Sequence, residues 1–161
     1  MIRRRVNATY VQETKWTDEK VREIEDTGFK LYYNGKDRRR NEVGILIAKG
    51  FVENVVADIR KGDMIMLVKL VVGRNIVNVI SAYAPQVELD YQTKRDFLEQ
   101  MDEILQEIPV EENLIKSGDF NGHVGIDKLG YEMVHGGYDF GNRNEAGESI
   151  LDFALTSNLT I

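Results

Sequence analysis

Residues 113–125 read Asn113-Leu114-Ile115-Lys116-Ser117-Gly118-Asp119-Phe120-Asn121-Gly122-His123-Val124-Gly125. The apolar opening, Asn113-Leu114-Ile115, predicts the end of a buried strand. Gly118 and Gly122 then let the backbone turn sharply and approach a neighbour or a ligand closely. Between them stand a carboxylate and a carboxamide, Asp119 and Asn121. If the extended geometry continues, the two point to the same side, because side chains alternate along a strand. An acceptor and a donor on one face at the mouth of a sheet could align a water and hold a phosphate oxygen. The same residues also make Asx-stabilised turns for purely local reasons, and at this point both meanings stand.

Composition narrows the choice. At 161 residues the chain is expected to form one domain, residues 1–161. Hydrophobic content of 42% and charged content of 30% are those of an ordinary globular chain. No apolar run reaches membrane-spanning length and the start has no apolar leader, so no membrane partner is expected. There is no cysteine, which removes thiolate chemistry and suggests a reducing, intracellular setting. Two histidines are too few for a nitrogen-rich transition-metal cage, so any metal would be oxygen-ligated, in the manner of magnesium or calcium. A net charge of −6 argues against a bulk electrostatic DNA binder. Basic residues still cluster in Arg3-Arg4-Arg5 and Lys36-Asp37-Arg38-Arg39-Arg40. Such runs are most simply a solvated terminus and a solvated loop, but local patches of this kind can serve DNA.

Outward from the central stretch, Val6 to Glu13 is rich in β-branched and aromatic residues and predicts a strand. Thr17 looks like the N-cap of a short helix, with Val21 and Ile24 on its apolar side and Gly28 as its stop. Strands are expected at Phe29 to Tyr33, Val43 to Ala48, Phe51 to Ala57, Met64 to Val72 and Ile76 to Ser81, with Asn34 to Asn41 as a long loop. Phe97, Met101, Ile104, Leu105 and Ile108 repeat at helical spacing, and Pro109 ends that helix. After the glycine-rich loop from Gly122 to Gly141, Asn144 is placed to cap a last helix from Glu145 to about Ser157. Leu159-Thr160-Ile161 looks like a further strand. Strands dominate, which makes the class α+β or a layered α/β arrangement.

Several segments together carry a resemblance: Val11-Gln12-Glu13-Thr14-Lys15-Trp16, residues 40–47, Ser81-Ala82-Tyr83-Ala84-Pro85, residues 118–125 and Gly141-Asn142-Arg143-Asn144-Glu145-Ala146-Gly147. In this order they resemble the endonuclease/exonuclease/phosphatase superfamily. Within it they are most similar to the apurinic-type endonucleases of LINE-like retrotransposons and the craniofacial-development-protein-2-like proteins. The resemblance implies a four-layer α/β/β/α sandwich and magnesium-dependent (or manganese-dependent) phosphodiester hydrolysis on DNA. It implies Glu13 as a carboxylate ligand of the metal and Asp119 as the group that aligns or deprotonates the attacking water. Asn121 would be a donor to the scissile phosphate and Tyr83 a second, phenolic donor. Arg38, Arg39, Arg40, Arg143 and Asn144 become candidate DNA contacts. A nuclear location is compatible with such a role. His123 and His135 do not match the family's essential histidine, and loop packing is expected of both.

Two parts of the family pattern are not found. The family's metal-touching Asn lies on a strand well before the Gln-Glu strand, whereas twelve residues precede Glu13 here; Asn7 falls within the Glu13 strand itself. The family's late Asp-His pair has no counterpart, since no Asp-His dipeptide occurs in the sequence. The expectation is therefore an incomplete nuclease domain with little or no activity of its own and with unpaired sheet edges through which it could self-associate. Two alternatives remain: a phosphoesterase for a substrate such as a phosphoinositide, and a non-catalytic binding module that kept the fold.

Overall fold

The computed structural model describes residues 6–12, 20–34, 43–86 and 89–161. The chain divides into two compact units, residues 1–84 with 106–119, and residues 85–105 with 120–161.

The first unit is built on two four-stranded sheets. One has the order β1 (Ala8–Gln12), β4 (Val43–Ala48), β3 (Phe29–Asn34), β2 (Lys20–Ile24), all neighbours antiparallel. The other runs β5 (Val55–Lys61), β6 (Ile65–Val72), β7 (Asn75–Tyr83), β8 (Asn113–Asp119), with β8 parallel to β7. Alternation along the strands sends Val43, Ile45 and Ile47 of one sheet and Met66, Val68 and Leu70 of the other into a shared core, which Tyr32 and Val79 complete. Burying each such side chain is worth roughly 1.5–3 kcal/mol, so this seam holds the two sheets face to face. Met66 and Val68 are fully buried, and so are Ile65 and Leu67, which point the other way. A strand buried on both faces reads as a continuous apolar run rather than an alternating one.

A parallel pair needs a crossover connection. Between β7 and β8 the chain makes helix α2 (Tyr91–Gln106), which follows a four-residue helix α1 (Lys49–Val52) earlier in the chain. The side chains buried along α2 are Phe97, Met101 and Ile104, the stripe that the helical spacing marks out. In the second unit Phe97 meets Phe120 edge to face at 6.3 Å. The rest of that unit is the loop 120–144 folded onto helix α3 (Glu145–Thr156), with Val124, Val134, Leu151 and Ala154 as a small core.

Three sequence expectations need correction. Lys20–Ile24 is an extended edge strand paired with β3, not a helix; Thr17, its expected cap, lies outside the described residues. The supposed helix stop is a hairpin turn, with Asp26 and Gly28 both in the left-handed region (φ 60° and 68°) and the Thr27 N–H bonded to the Ile24 carbonyl at 3.3 Å. Pairing with a partner strand outweighed weak local propensity. Phe51 and Val52 lie in α1, and the strand after them starts at Val55. The Asn54 N–H closes that turn on the Phe51 carbonyl at 3.1 Å, and its carboxamide donates to the Val71 carbonyl of β6 at 2.7 Å. Leu159–Ile161 forms no strand, because its backbone partners lie in a loop: Ile161 N–H donates to Val134 O at 2.6 Å and Gly136 N–H to Ile161 O at 2.8 Å.

Candidate active site

Tyr83 ends β7, Asp119 ends β8, and the two are register partners in the parallel pair. They therefore lie on one face of the sheet, the face of Val79, which belongs to the core seam. Tyr83 is half-buried against that core, whereas Asp119 is exposed. The Ala84 N–H extends the ladder by one rung to the Asp119 carbonyl at 2.8 Å. Gly118 faces Ala82 so closely that a Cβ there would lie 1.8 Å from the Ala82 carbonyl oxygen. Only glycine lets the two strand ends come together.

A third element reaches this end of the unit. The Gln12 carboxamide, at the end of β1, donates to the same Ala82 carbonyl at 2.8 Å, tying one sheet to the other. Sequence reasoning gave Gln12 no role; its position at a strand end just before a candidate carboxylate was the available signal. Deeper on the same face, Ser81 is fully buried and its hydroxyl has no hydrogen-bond partner among the described residues. Lys116 stands an odd number of residues from Asp119 and so faces the other way; burial pushes its ammonium down to about 8.

Of the other expected site residues, Glu13 and the basic loop residues Arg38, Arg39 and Arg40 lie outside the described residues. Asn121 is described, but the expectation that it continues the alternation from Asp119 fails. The strand stops at Asp119, and Asn121 sits in the left-handed region at φ 48°, a conformation that Asn tolerates better than most residues.

The second unit shows what holds the loop after Asn121. Asn144 caps α3: its Oδ1 accepts from Gly147 N at 2.8 Å and from His123 N at 3.1 Å, while its own N–H donates to His123 O at 3.0 Å. Arg143 Nε donates to Val124 O at 3.2 Å, its terminal nitrogen donates to the Asp127 carbonyl, and its guanidinium lies 4.5 Å over the Tyr131 ring. The Tyr131 hydroxyl in turn donates to Asp152 at 2.6 Å, which raises its pKa. The two candidate DNA contacts thus spend most of their polar groups within the protein. His135 is buried, with Nε2 2.7 Å from Gly125 O and Nδ1 accepting from Gly137 N at 3.3 Å, which makes Nε2 the protonated nitrogen. The His123 side chain is exposed. Asp139 accepts from Gly125 N at 3.0 Å, and the amides of Phe140 and Gly125 hold its carboxyl below the usual carboxylate range. Asn144→Ala is expected to lower stability by roughly 1–2 kcal/mol, because it removes the one oxygen that accepts from both Gly147 N and His123 N; urea unfolding followed by circular dichroism measures it.

Among the described residues no group of three or more His, Asp and Glu side chains gathers to hold a metal ion. Asp119 supplies one exposed carboxylate at its end of the first unit, and magnesium prefers six oxygen ligands in octahedral array. The described residues do not by themselves make that shell. Among them, too, no helix is long and apolar enough to cross a membrane.

This architecture has known counterparts. The endonuclease domain of TRAS1, a telomere-specific non-LTR retrotransposon, superposes with a TM-score of 0.60 at 13% identity, covering 97% of this chain and 60% of that one. The fold is the sandwich of the endonuclease/exonuclease/phosphatase type. In sequence it is similar to craniofacial development protein 2 of Bos taurus, 26% identical over 152 residues, which are 94% of this chain and 25% of the relative. The same protein of Tragulus javanicus matches equally, at 26% over 152 residues. The chain spans about a quarter of the length of these relatives. No protein-family model matches it.

Proposed function

We propose that this chain is a phosphodiester-hydrolysing domain of the retroelement DNA endonuclease kind, magnesium- or manganese-dependent and weakly active by itself. The observation that carries this is the Tyr83–Asp119 pair, set on one face at the adjacent ends of parallel strands with Gln12 tied into the same end. Ligands of layered sheet folds commonly bind outside the carboxyl ends of such strands. An exposed carboxylate there can orient a water and take its proton, and a phenol beside it can donate to a phosphate oxygen. Asn121 is the further donor in this proposal. Glu13 is the ligand proposed for the cation, whose chemistry when bound would be Lewis-acid polarisation of the phosphate. DNA is the proposed partner. A non-catalytic binding module on the same fold would use the same strand ends, holding DNA there without cutting it.

Titration of the isotope-labelled chain with a short DNA duplex tests the location of the site in either case. The expected result is amide shift changes centred on Tyr83, Ala84 and Asp119. Changes confined to other parts of the first unit, or none at all, would contradict it.

A further inference from the structure

The loop that starts at Asn121 carries apolar side chains it does not bury. Ile126, Leu129, Met133, Tyr138 and Phe140 are all exposed, and the two aromatic rings most of all, at 94% and 87%. An ill-ordered loop could show rings in this way, but this loop is fastened at many points. Asp139, between the two rings, turns inward to the Gly125 amide at 3.0 Å. His135 closes on the Gly125 carbonyl, Arg143 on Val124 and Asp127, and Gly136 on Ile161. With the residue between them anchored inward, Tyr138 and Phe140 are presented outward on a firm base.

We propose that Tyr138 and Phe140 form a stacking pair for the nucleobases of unpaired DNA; this rests on the DNA-directed function proposed above and specifies its substrate. The chemistry of the rings selects the ligand. A base offers a broad π-face that stacks on an aromatic ring whatever its sequence, and each such contact is worth enough to matter alone. In a fully paired duplex those faces are occupied by neighbouring bases, so the rings select a single strand, a bulge or a frayed end. The loop's charges agree with stacking rather than phosphate tracking. Lys128 and Arg143 stand against Asp127, Glu132 and Asp139, and the Arg143 guanidinium is already engaged on Tyr131 and two backbone carbonyls. Binding through the rings is therefore expected to depend only weakly on salt, unlike binding that releases counterions from many phosphates.

The test is fluorescence anisotropy with one labelled DNA sequence presented as a single strand, as a paired duplex, and as that duplex with a short bulge. The proteins are the 161-residue chain, the Tyr138→Ser/Phe140→Ser double variant and the ring-keeping Tyr138→Phe/Phe140→Tyr double variant; both rings are exposed, so each variant should keep its circular dichroism spectrum. Expected are tighter binding of the single strand and the bulge than of the paired duplex, and a roughly ten-fold or greater loss of both in the serine variant. Paired-duplex binding should be unchanged, the ring-keeping variant should match the parent, and affinity should shift little between low and moderate salt. Equal binding of all three DNAs, or a serine variant that binds like the parent, overturns the stacking pair. The same holds if the serine variant loses only self-association in sedimentation, which would make the rings a protein interface. If the duplex still shifts Tyr83 and Asp119 in those outcomes, the stacking pair alone falls. If no DNA binds at all, the proposed function falls with it.

Discussion

Gly118→Ala is expected to cost the chain roughly 3 kcal/mol or more of stability, enough to unfold a marginal protein. Glycine in a strand interior usually weakens it by 0.5–1 kcal/mol relative to alanine, so the ordinary expectation has the opposite sign. The geometry reverses it. A Cβ at residue 118 would lie 1.8 Å from the Ala82 oxygen and 2.7 Å from its carbonyl carbon, whereas ordinary contact begins near 3.4 Å. The obstacle is backbone rather than the far end of a flexible side chain, so β7 and β8 would have to separate by more than an ångström. That would break the ladder around the Ala82–Gly118 rung and the Ala84–Asp119 hydrogen bond at 2.8 Å. The same Ala82 carbonyl accepts from Gln12, so the tie between the two sheets would loosen as well. Urea unfolding followed by circular dichroism measures the effect; a midpoint equal to or above that of the parent would show that the strands do not approach as closely as described.

The elements with strong periodicity or a strong cap were legible from residues alone. The apolar stripe of α2, the Asn144 cap of α3 and the strands at 29–34, 43–48 and 65–83 stand close to where spacing and turn signals put them. The fold class followed from those strands, and the resemblance carried by Ser81 to Pro85 and Ser117 to Gly125 pointed to the sandwich that the structure shows. Where interpretation failed, a non-local partner decided the outcome. Lys20–Ile24 has no strong preference of its own and is a strand because β3 lies beside it. Asn121 was assigned to the side of Asp119 by assuming two more extended residues, and the left-handed turn could not be seen in a pattern that both geometries share. Arg143 and Asn144 were candidate DNA contacts through the resemblance carried by residues 141–147. Their hold on the loop depends on carbonyls of Val124 and Asp127 and the amide of His123, distant partners that no residue spacing shows.

Asp119→Ala is expected to have the largest effect on function. Asp119 is the exposed carboxylate at the end of β8 that shares a face with Tyr83, and in the proposed reaction it orients a water and takes its proton. A positioned acid–base group contributes typically about 10²–10⁴-fold to rate. Groups that act as a unit do not compensate for one another, so the loss should not be made up by Tyr83 or Gln12. The substitution keeps the backbone hydrogen bond from the Ala84 N–H to residue 119, and the unfolding midpoint measured beside the rate separates chemistry from folding. The most direct measurement is the conversion of supercoiled plasmid to open circles by the 161-residue chain at high protein concentration, with and without magnesium, beside its Asp119→Ala variant. The account predicts slow nicking that requires magnesium and falls to the no-protein background in the variant; parent and variant giving indistinguishable rates would contradict it.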